Sequence, residues 1–370
     1  MNKTIVMFSA YYLPHLGGIE RYIDNLMKEF VKLGIKVILV TTNYQNIEEE
    51  TDYNGIHIIK IPVFNQWKNR YPIPKLNKEE KRLISKLDNY DIDAIIVNSR
   101  FHLTSHIGAN YGKKHNIPVY LIDHSSNYVT VNSKFWDFFG NRYEDVLTAY
   151  LKKRVTGWYG VSKACNEWLK HFKVKASGVW YNSIDVKQKL PKRKKHEGIN
   201  FLYAGRIIKQ KGVENILISF INLSKEYDNI NLYIAGIGEE LDYYKKTYKH
   251  KNIHYLGQLD FQELLKYYAQ TDVFLYPSLY PEGLPTSILE AGLMGCAVIG
   301  TLSGGSKEVL FDYNSVIVDE KQESLEKGMK ELIDNPDKRE KIAKEMNKFI
   351  LDNFSWEKAA KKVLKDIGLE

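Results

Sequence analysis

Two carboxylates and two cations in the second half of the chain have the types and spacing to bind a polyol and a phosphate. Glu282 and Glu290 lie eight positions apart on either side of a predicted helix start, and Arg206 and Lys211 bracket a predicted turn. A helix start offers free N–H groups and a positive dipole end, which suit a phosphate. Carboxylates accept hydrogen bonds from vicinal hydroxyls, and Arg and Lys can hold a diphosphate. The pattern therefore predicts a site for a polyol joined to phosphate.

The neighbouring segments predict how these side chains are positioned. Residues 272–276 are typical of a buried parallel strand, and the apolar spacing over 288–293 predicts a helix with Pro285 in its first turn. Glu290 would lie one turn into that helix, with its carboxylate leaning back toward the helix start. Arg206 and Lys211 would follow the strand over 200–204 and precede a helix that begins near Val213.

The whole chain alternates strand-like and helix-like segments. Such alternation is typical of an α/β fold with parallel sheets covered by helices on both faces. The pattern breaks at the basic segment 185–195 and restarts near residue 200, and 370 residues suit two domain cores. We therefore expect two Rossmann-like domains joined near residue 185.

Composition favours a reduced, cytoplasmic protein. The net charge is +8, and residues 1–180 carry all of the excess, with 25 Lys and Arg against 17 Asp and Glu. A basic first domain can bind anionic lipid surfaces or pyrophosphate carriers, or it can simply aid solubility. No apolar run reaches the ~18 residues needed to span a bilayer, and we recognise no secretory signal. Two cysteines, Cys165 and Cys296, indicate neither a disulfide framework nor a structural zinc site.

A series of motifs in a fixed order carries a family resemblance. They are Leu16-Gly17-Gly18-Ile19-Glu20-Arg21, Tyr181-Asn182-Ser183-Ile184-Asp185, Ala204-Gly205-Arg206 with Lys211-Gly212, Ile234-Ala235-Gly236-Ile237-Gly238, Glu282-Gly283-Leu284 with Glu290, and Ser303-Gly304-Gly305 with Glu308. In this order and spacing the chain resembles the retaining glycosyltransferases of family 4, the group 1 glycosyl transferases. Ser183 departs from the glycine that the family usually has there, so a positive-φ role at that position is in doubt.

The resemblance implies a GT-B fold, in which two Rossmann-like domains face each other across a cleft. The N-terminal, acceptor-binding domain would comprise residues 1–185, and the nucleotide-sugar-binding domain residues 186–353. The last helix, within 354–370, would cross back to the N-terminal domain with Trp356 as its anchor.

The resemblance also implies a role for each candidate residue. Arg206 and Lys211 would hold the diphosphate of a nucleotide sugar, Glu282 the hydroxyls of the transferred sugar, and His124, after the strand 119–122, would face that sugar. Without the resemblance, a lone His at a strand end is more often structural. The implied donor-binding residues are Gly17, Gly18, Gly283, Leu284, Thr286 and Glu290.

The implied reaction is metal-independent transfer of a hexose-type sugar, from a UDP-linked donor, with retention of anomeric configuration. Front-face attack, in which the leaving phosphate takes the proton of the acceptor, is preferred to a covalent intermediate on Glu282 of the glycosidase kind. Asp91-Ile92-Asp93 is similar to a metal-binding pattern, but it precedes a strand, at the wrong end of the sheet. Gly236-Ile237-Gly238 has no third glycine and is negligible evidence for NAD.

The acceptor is expected to be a glycan or polyprenyl-pyrophosphate-linked glycan of surface polysaccharide or glycoconjugate biosynthesis, with no nucleic acid partner. Aromatic and basic residues over 64–71 and 135–142 suit contact with an anionic membrane at its cytoplasmic face, or pack against each other. Two other classes remain open. They are a two-lobed ligand-binding protein and another GT-B enzyme, such as a sugar-nucleotide epimerase or a phosphorylase.

Overall fold

The protein has two compact units. A computed structural model describes residues 3–15, 17–45, 47–64, 71–130 and 133–370. One unit comprises residues 1–182 with 356–370, and the other residues 183–355. Each unit has its own parallel sheet and its own hydrophobic core, so the prediction of two Rossmann-like domains is confirmed.

The first unit is built on an eight-stranded sheet and a separate two-stranded one. The strands of this unit are β1 (Thr4–Phe8), β2 (Lys36–Thr42), β3 (Glu50–Tyr53), β4 (Ile56–Ile61), β5 (Val63–Phe64), β6 (Ile73–Pro74), β7 (Ala94–Asn98), β8 (Val119–Asp123), β9 (Gly157–Gly160) and β10 (Gly178–Val179). The large sheet has the order β10-β9-β8-β7-β1-β2-β4-β3. Only the β3–β4 pair is antiparallel in it, and β5 pairs with β6. The strands after β1 add on one side of it as far as β3, whereas β7 pairs with the other side of β1 and is followed outward by β8, β9 and β10. The carboxyl ends of β1 and β7 therefore mark a switch point.

Helices cover this sheet and begin after its strand ends. They are α1 (Gly18–Lys32), α2 (Lys78–Ile84), α3 (Leu103–His115), α4 (Lys134–Leu151) and α5 (Lys163–His171), with a short 3₁₀ turn over Ser85–Asn89. Apolar side chains at helical spacing bury one face of α1 against the sheet. The strand predicted over 119–122 is β8, within one residue at its end, whereas α5 was not predicted.

The second unit has a six-stranded, fully parallel sheet. Its strands are β11 (Ile199–Ala204), β12 (Ile230–Ala235), β13 (Ile253–Gly257), β14 (Val273–Tyr276), β15 (Ala297–Thr301) and β16 (Val316–Val318). Its helices are α6 (Val213–Leu223), α7 (Leu241–Thr247), α8 (Phe261–Tyr268), α9 (Thr286–Leu293), α10 (Gln322–Asp334) and α11 (Pro336–Asn353), with 3₁₀ turns over Lys209–Lys211 and Gly304–Glu308. The order β13-β12-β11-β14-β15-β16 puts the switch point between β11 and β14. Ligands of such sheets bind at the carboxyl ends of the strands on either side of that point.

The last helix, α12 (Trp356–Asp366), belongs to the first unit, as predicted. Trp356 is buried, and its ring meets the edge of the Tyr22 ring at 5.2 Å. Trp180 Nε1 donates to the Asp366 carboxylate at 2.9 Å, which ties the end of the helix to the same core.

The hairpin of β3 and β4 was not predicted. Asn54 and Gly55 form its turn, and both have positive φ, as the common two-residue hairpin turn requires. Ser183, which replaces the usual family glycine, has no positive φ, so the serine needs no strained backbone there.

Candidate functional site

The loops after β11 and β14 meet at the switch point of the second sheet. Gly212 has φ +68, and a Cβ there would lie 2.2 Å from the Pro277 carbonyl oxygen. A side chain at this position would therefore push the two loops apart. Leu279 N–H also donates to the Gln210 carbonyl at 2.9 Å. The close approach brings the turn that carries Lys211 against the loop that carries Glu282.

Lys211 and Glu282 form an ion pair in this site. The Lys211 ammonium contacts Glu282 Oε1, and the hydroxyl of Tyr276 donates to Oε2 at 2.5 Å. The pKa of Lys211 lies below its usual value, because burial and the positive charge of Arg206 lower it more than the negative charge of Glu282 raises it. Burial, with the charge of Glu282, raises the pKa of Tyr276 well above its usual value, so this phenol is a donor at any physiological pH. Glu282 keeps 28% of its side chain exposed and can still meet a ligand.

Arg206 is the exposed cation of the same site. Its backbone carbonyl accepts from the hydroxyl of Tyr203 at 2.8 Å, which fixes the turn from which the guanidinium projects. Its positive charge acts to lower the pKa of both Lys211 and Tyr203. No described residue forms an ion pair with this guanidinium. It therefore remains available to an anion, whereas Lys211 is already neutralised by Glu282.

Two glycines fix the backbone beside Glu282. Gly305 N–H donates to the Glu282 carbonyl at 2.9 Å, and a Cβ on Gly305 would lie 1.6 Å from the Gly283 carbonyl oxygen. Gly304 has φ +58, and its Cβ would lie 2.2 Å from the Glu282 carbonyl oxygen. The segment Glu282-Gly283-Leu284 is thus held by close backbone packing, with Leu284 buried and Gly283 partly exposed.

Helix α9 begins directly after this segment. Thr286 is exposed at its first position, and Pro285 precedes the helix as its N-cap, so the prediction that Pro285 lies in the first turn is wrong by one residue. Glu290 lies one turn in and is buried. Its Oε2 accepts from the hydroxyl of Tyr268 at 3.1 Å. The structure therefore brings Arg206, Lys211 and Glu282 together and holds Glu290 separately, through α8.

Sequence reasoning missed the two tyrosines that hold the carboxylates. Tyr276 ends β14 and Tyr268 ends α8, where each fits the apolar pattern of a buried face. The available signal was a tyrosine at the end of a strand or helix that precedes each expected carboxylate. To use that signal for Glu290, one must know that α8 pairs with α9, which the local pattern does not give.

In the first unit, Gly17 and Gly18 precede and open α1. Gly17 N–H donates to Glu20 Oε2 at 2.8 Å, which satisfies one of the free donors of the helix start. Neither glycine has positive φ, and a Cβ on Gly18 would meet nothing within 4 Å. What glycine provides at position 18 is open access to the backbone.

His124 and Asp123 lie at the end of β8, and the structure gives them different roles. Asp123 is fully buried and accepts from Arg100 Nη1 at 2.6 Å, while Arg100 Nη2 donates to Glu144 at 2.6 Å. Asp123 is therefore part of a buried ionic group. His124 is partly exposed, and burial of its ring lowers its pKa to about 3, so the imidazole is neutral near pH 7.

The residues weighed as a metal site lie elsewhere. The Asp93 carboxylate accepts from Lys3 Nζ and Thr4 N–H, both at 2.8 Å, at the amino end of β7. Within the described ranges, no group of three or more His, Cys, Asp or Glu side chains is placed to hold a metal ion. No helix in those ranges has the length and apolar character needed to cross a bilayer.

The aromatic residues of α4 are exposed. Phe135, Trp136, Phe138 and Phe139 leave 53–65% of their surface open, although their rings also contact one another at 5.1–5.5 Å. Mutual packing therefore does not bury them. In the other predicted stretch, 64–71, Phe64 is exposed and the Tyr71 hydroxyl donates to the Phe101 carbonyl. Trp67, Lys68 and Arg70 lie outside the described residues.

Two family models match the chain. The model for Glycosyltransferase Family 4 matches residues 16–188, and the model for Glycosyl transferases group 1 matches residues 185–364. An uncharacterised glycosyltransferase of Methanocaldococcus jannaschii is 27% identical, over 98% of this chain and 97% of the relative. A component of the human phosphatidylinositol N-acetylglucosaminyltransferase is 23% identical, over 90% of this chain and 69% of the relative.

Among solved structures, the Anabaena protein HepE in complex with UDP-glucose has a TM-score of 0.73 with this chain. The two are 15% identical, and the match covers 99% of each chain. This likeness shows that the fold is GT-B.

Proposed function

The chain belongs to the group 1, family 4 glycosyltransferases, and on that premise we propose that it transfers a hexose-type sugar from UDP to a glycan or lipid-linked glycan, with retention of anomeric configuration. The observation that carries the proposal is the buried ammonium of Lys211, paired with Glu282 at the switch point of the second sheet. A buried cation at this place is suited to a diphosphate, and Glu282 balances its charge while the site is free.

The proposed roles in the second unit follow from charge and donor type. Arg206 and Lys211 bind the diphosphate, and the N–H groups at the start of α9, at Thr286, add donors to a phosphate. Displacing Glu282 from Lys211 frees its carboxylate for the hydroxyls of the transferred sugar, beside the N–H groups of Gly283 and Leu284. Glu290, oriented by Tyr268, accepts from the ribose hydroxyls.

In the proposed reaction, the bond between the anomeric carbon and the phosphate oxygen breaks, and negative charge grows on the leaving diphosphate. Preorganised donors aimed at that charge, here Arg206 and Lys211, stabilise the transition state, and removing one such donor typically costs about a hundred- to a thousand-fold in rate. The acceptor oxygen forms its bond to the anomeric carbon on the same face, and its proton passes to the leaving phosphate. In this scheme the Glu282 carboxylate is held by the hydroxyl of Tyr276 and by the hydroxyls of the sugar, which disfavours it as a nucleophile.

We propose that the reaction needs no metal ion. The positive charge of Arg206 and Lys211 and the N–H groups at the start of α9 neutralise the diphosphate in this scheme. In the first unit, Gly17, Gly18 and His124 are the proposed substrate contacts.

Incubation of the protein with a panel of UDP- and GDP-sugars tests the proposal. Slow hydrolysis or transfer supports the transferase, and a UDP-sugar should be the best substrate. Formation of an epimer would identify a sugar-nucleotide epimerase, and binding without turnover would identify a binding module. A covalent sugar adduct trapped on Glu282 would overturn the front-face mechanism.

The acceptor is proposed to be a polyprenyl-pyrophosphate-linked glycan at an anionic membrane surface. The exposed aromatics of α4 and the excess of basic residues in the first 180 positions support contact with such a surface. The phosphatidylinositol in the name of the human relative supports a lipid-linked acceptor. The protein should sediment with anionic vesicles at low salt. Replacing Phe135 and Trp136 by Ser should abolish this binding, whereas Val146→Ser, at an equally exposed site on the same helix, should not. Failure of the unmodified protein to sediment would refute the membrane contact.

A further inference from the structure

The first unit has a polar group besides the ion pairs of Arg100. It lies at the carboxyl ends of β1, β7 and β8 and is centred on Asn98 and His124. Asn98 ends β7 and is buried, and its carbonyl accepts from Ser105 Oγ at 2.8 Å. The next residue, Ser99, has φ +67, a left-handed conformation that is uncommon outside glycine. Ser99 N–H donates to the Ile122 carbonyl at 2.8 Å. The bond from Ser99 to Ile122 holds the end of β7 against β8, which leads into His124.

The hydrogen bonds of the Asn98 side chain fix its orientation. Its Nδ2 donates to the carbonyl oxygen of Phe8 at 3.0 Å. A carbonyl oxygen only accepts, so the amide nitrogen must face Phe8, and the opposite orientation would set two acceptors against each other. Asn98 Oδ1 therefore points away from β1.

Asn98 Oδ1 lies 3.3 Å from Nε2 of His124. Because an amide oxygen only accepts, Nε2 must carry a proton to make this bond. The ring also meets the edge of the buried Tyr22 ring, at 5.0 Å between centroids. Burial lowers the pKa of His124 to about 3, and a nearby His102, itself buried with its pKa lowered to about 3, lowers it further. The imidazole therefore holds a single proton.

The carboxylate that precedes His124 in the chain is already engaged. Asp123 precedes His124 and is paired with Arg100, which also binds Glu144. None of the hydrogen bonds between described residues uses His124 Nδ1. With the proton on Nε2, that nitrogen presents a lone pair, and His124 as a residue is partly exposed.

We propose that Asn98 is a positioning residue that fixes His124 in the Nε2-protonated tautomer, so that Nδ1 accepts a hydrogen bond from a substrate hydroxyl. The tautomer follows from hydrogen bonds within the first unit alone, whereas the hydroxyl rests on the proposed glycosyl transfer. In this arrangement His124 selects for a hydroxyl at the site it faces, because a bare acceptor on the substrate would oppose the Nδ1 lone pair.

Two-bond ¹H–¹⁵N correlation spectra of protein labelled with [¹⁵N]histidine test the tautomer directly. The His124 signals are identified by their loss in His124→Gln. At pH 7 we expect Nδ1 at the shift of an unprotonated ring nitrogen and Nε2 at that of a protonated one. In Asn98→Leu the two shifts should move toward each other, because the acceptor that selects one tautomer is gone. Ser105→Ala, which removes a bond to the Asn98 backbone and not to the imidazole, should leave them apart.

Two results would overturn the tautomer assignment. The first is a protonated Nδ1, or averaged shifts, in the unmodified protein. This measurement does not depend on whether any variant folds. The second is an Asn98→Leu protein whose His124 shifts match those of the parent.

Activity tests the role of Nδ1. Asn98→Leu should lower kcat about ten-fold, the worth of one hydrogen bond, with Ser105→Ala close to the parent. The side-chain amide of Asn can take the place of Nδ1, whereas that of Gln takes the place of Nε2. Because Nδ1 is the proposed acceptor, His124→Asn should keep about ten-fold more activity than His124→Gln. Equal or greater activity of His124→Gln would refute the acceptor role. A parent protein that turns over no nucleotide sugar would refute the proposed transfer, and the spectra would still decide the tautomer.

Discussion

Removal of the Lys211 ammonium separates its role in binding phosphate from its role in folding. Lys211→Met keeps the length of the side chain and leaves Glu282 with Tyr276 as its remaining direct partner. Breaking a fully buried ion pair costs about 3–5 kcal/mol. Glu282 is 28% exposed and can regain water, so we expect a smaller loss of unfolding free energy, about 1–2 kcal/mol.

The effect on catalysis should be larger than the effect on folding. Loss of one donor to the leaving diphosphate should lower kcat about a hundred- to a thousand-fold. Chemical denaturation and the steady-state rate of UDP-sugar hydrolysis measure the two quantities on the same preparation. Lys209→Met is the matched control, because Lys209 lies in the same 3₁₀ turn and is exposed, and both quantities should stay near the parent values.

A double variant sharpens the test. Lys211→Met with Glu282→Gln removes the carboxylate left without its cation, so the unfolding free energy should return toward that of the parent, while activity should stay low. The reasoning would be refuted if Lys211→Met folded normally and lost no more activity than Lys209→Met. Recovery of activity in the double variant would also refute it, because Lys211 would then matter only as the counter-ion of Glu282.

Three further predictions concern the remaining polar and aromatic groups. Burial raises the pKa of Glu144 from 4.5 to about 7, so its contribution to stability is fully present below about pH 4.5 and is lost as the pH rises through 7. Denaturation at pH 5 and pH 8 should show a fall of up to ~3 kcal/mol that is absent in Glu144→Gln, and an equal fall in both proteins would contradict this. Trp356→Ala should cost about 3–5 kcal/mol of unfolding free energy, against little change for the exposed Leu351→Ala, and a loss below 1 kcal/mol would show that α12 is not anchored by this ring. EDTA should leave transferase activity unchanged, as should Asp93→Asn, and activity lost to EDTA and restored by Mg²⁺ would show that a metal is required.

Much of this fold follows from local patterns in the sequence. Buried runs such as Ile95-Ile96-Val97 and the apolar face of α1 predict their elements because strand and helix periods differ. The order of these elements predicts two parallel sheets. Helix ends are less certain, as Pro285 shows, because a proline fits both the N-cap and the first turn.

The parts that sequence reasoning could not supply depend on pairing between distant segments. Arg100, Asp123 and Glu144 are separated by more than twenty positions each, and only the fold reveals that one guanidinium serves two buried carboxylates. The pairing of Lys211 with Glu282 is of the same kind. Each residue was a candidate by its type, but their contact follows from the close approach at Gly212, which is invisible in a single sequence.

The most direct test of the central claim is the position of a bound nucleotide. Crystals of the protein soaked with UDP should show the diphosphate beside Arg206 and Lys211 at the start of α9, with the ribose hydroxyls on Glu290 and the Lys211–Glu282 pair opened. A nucleotide bound away from the carboxyl ends of β11 and β14, with that pair intact, would contradict the account.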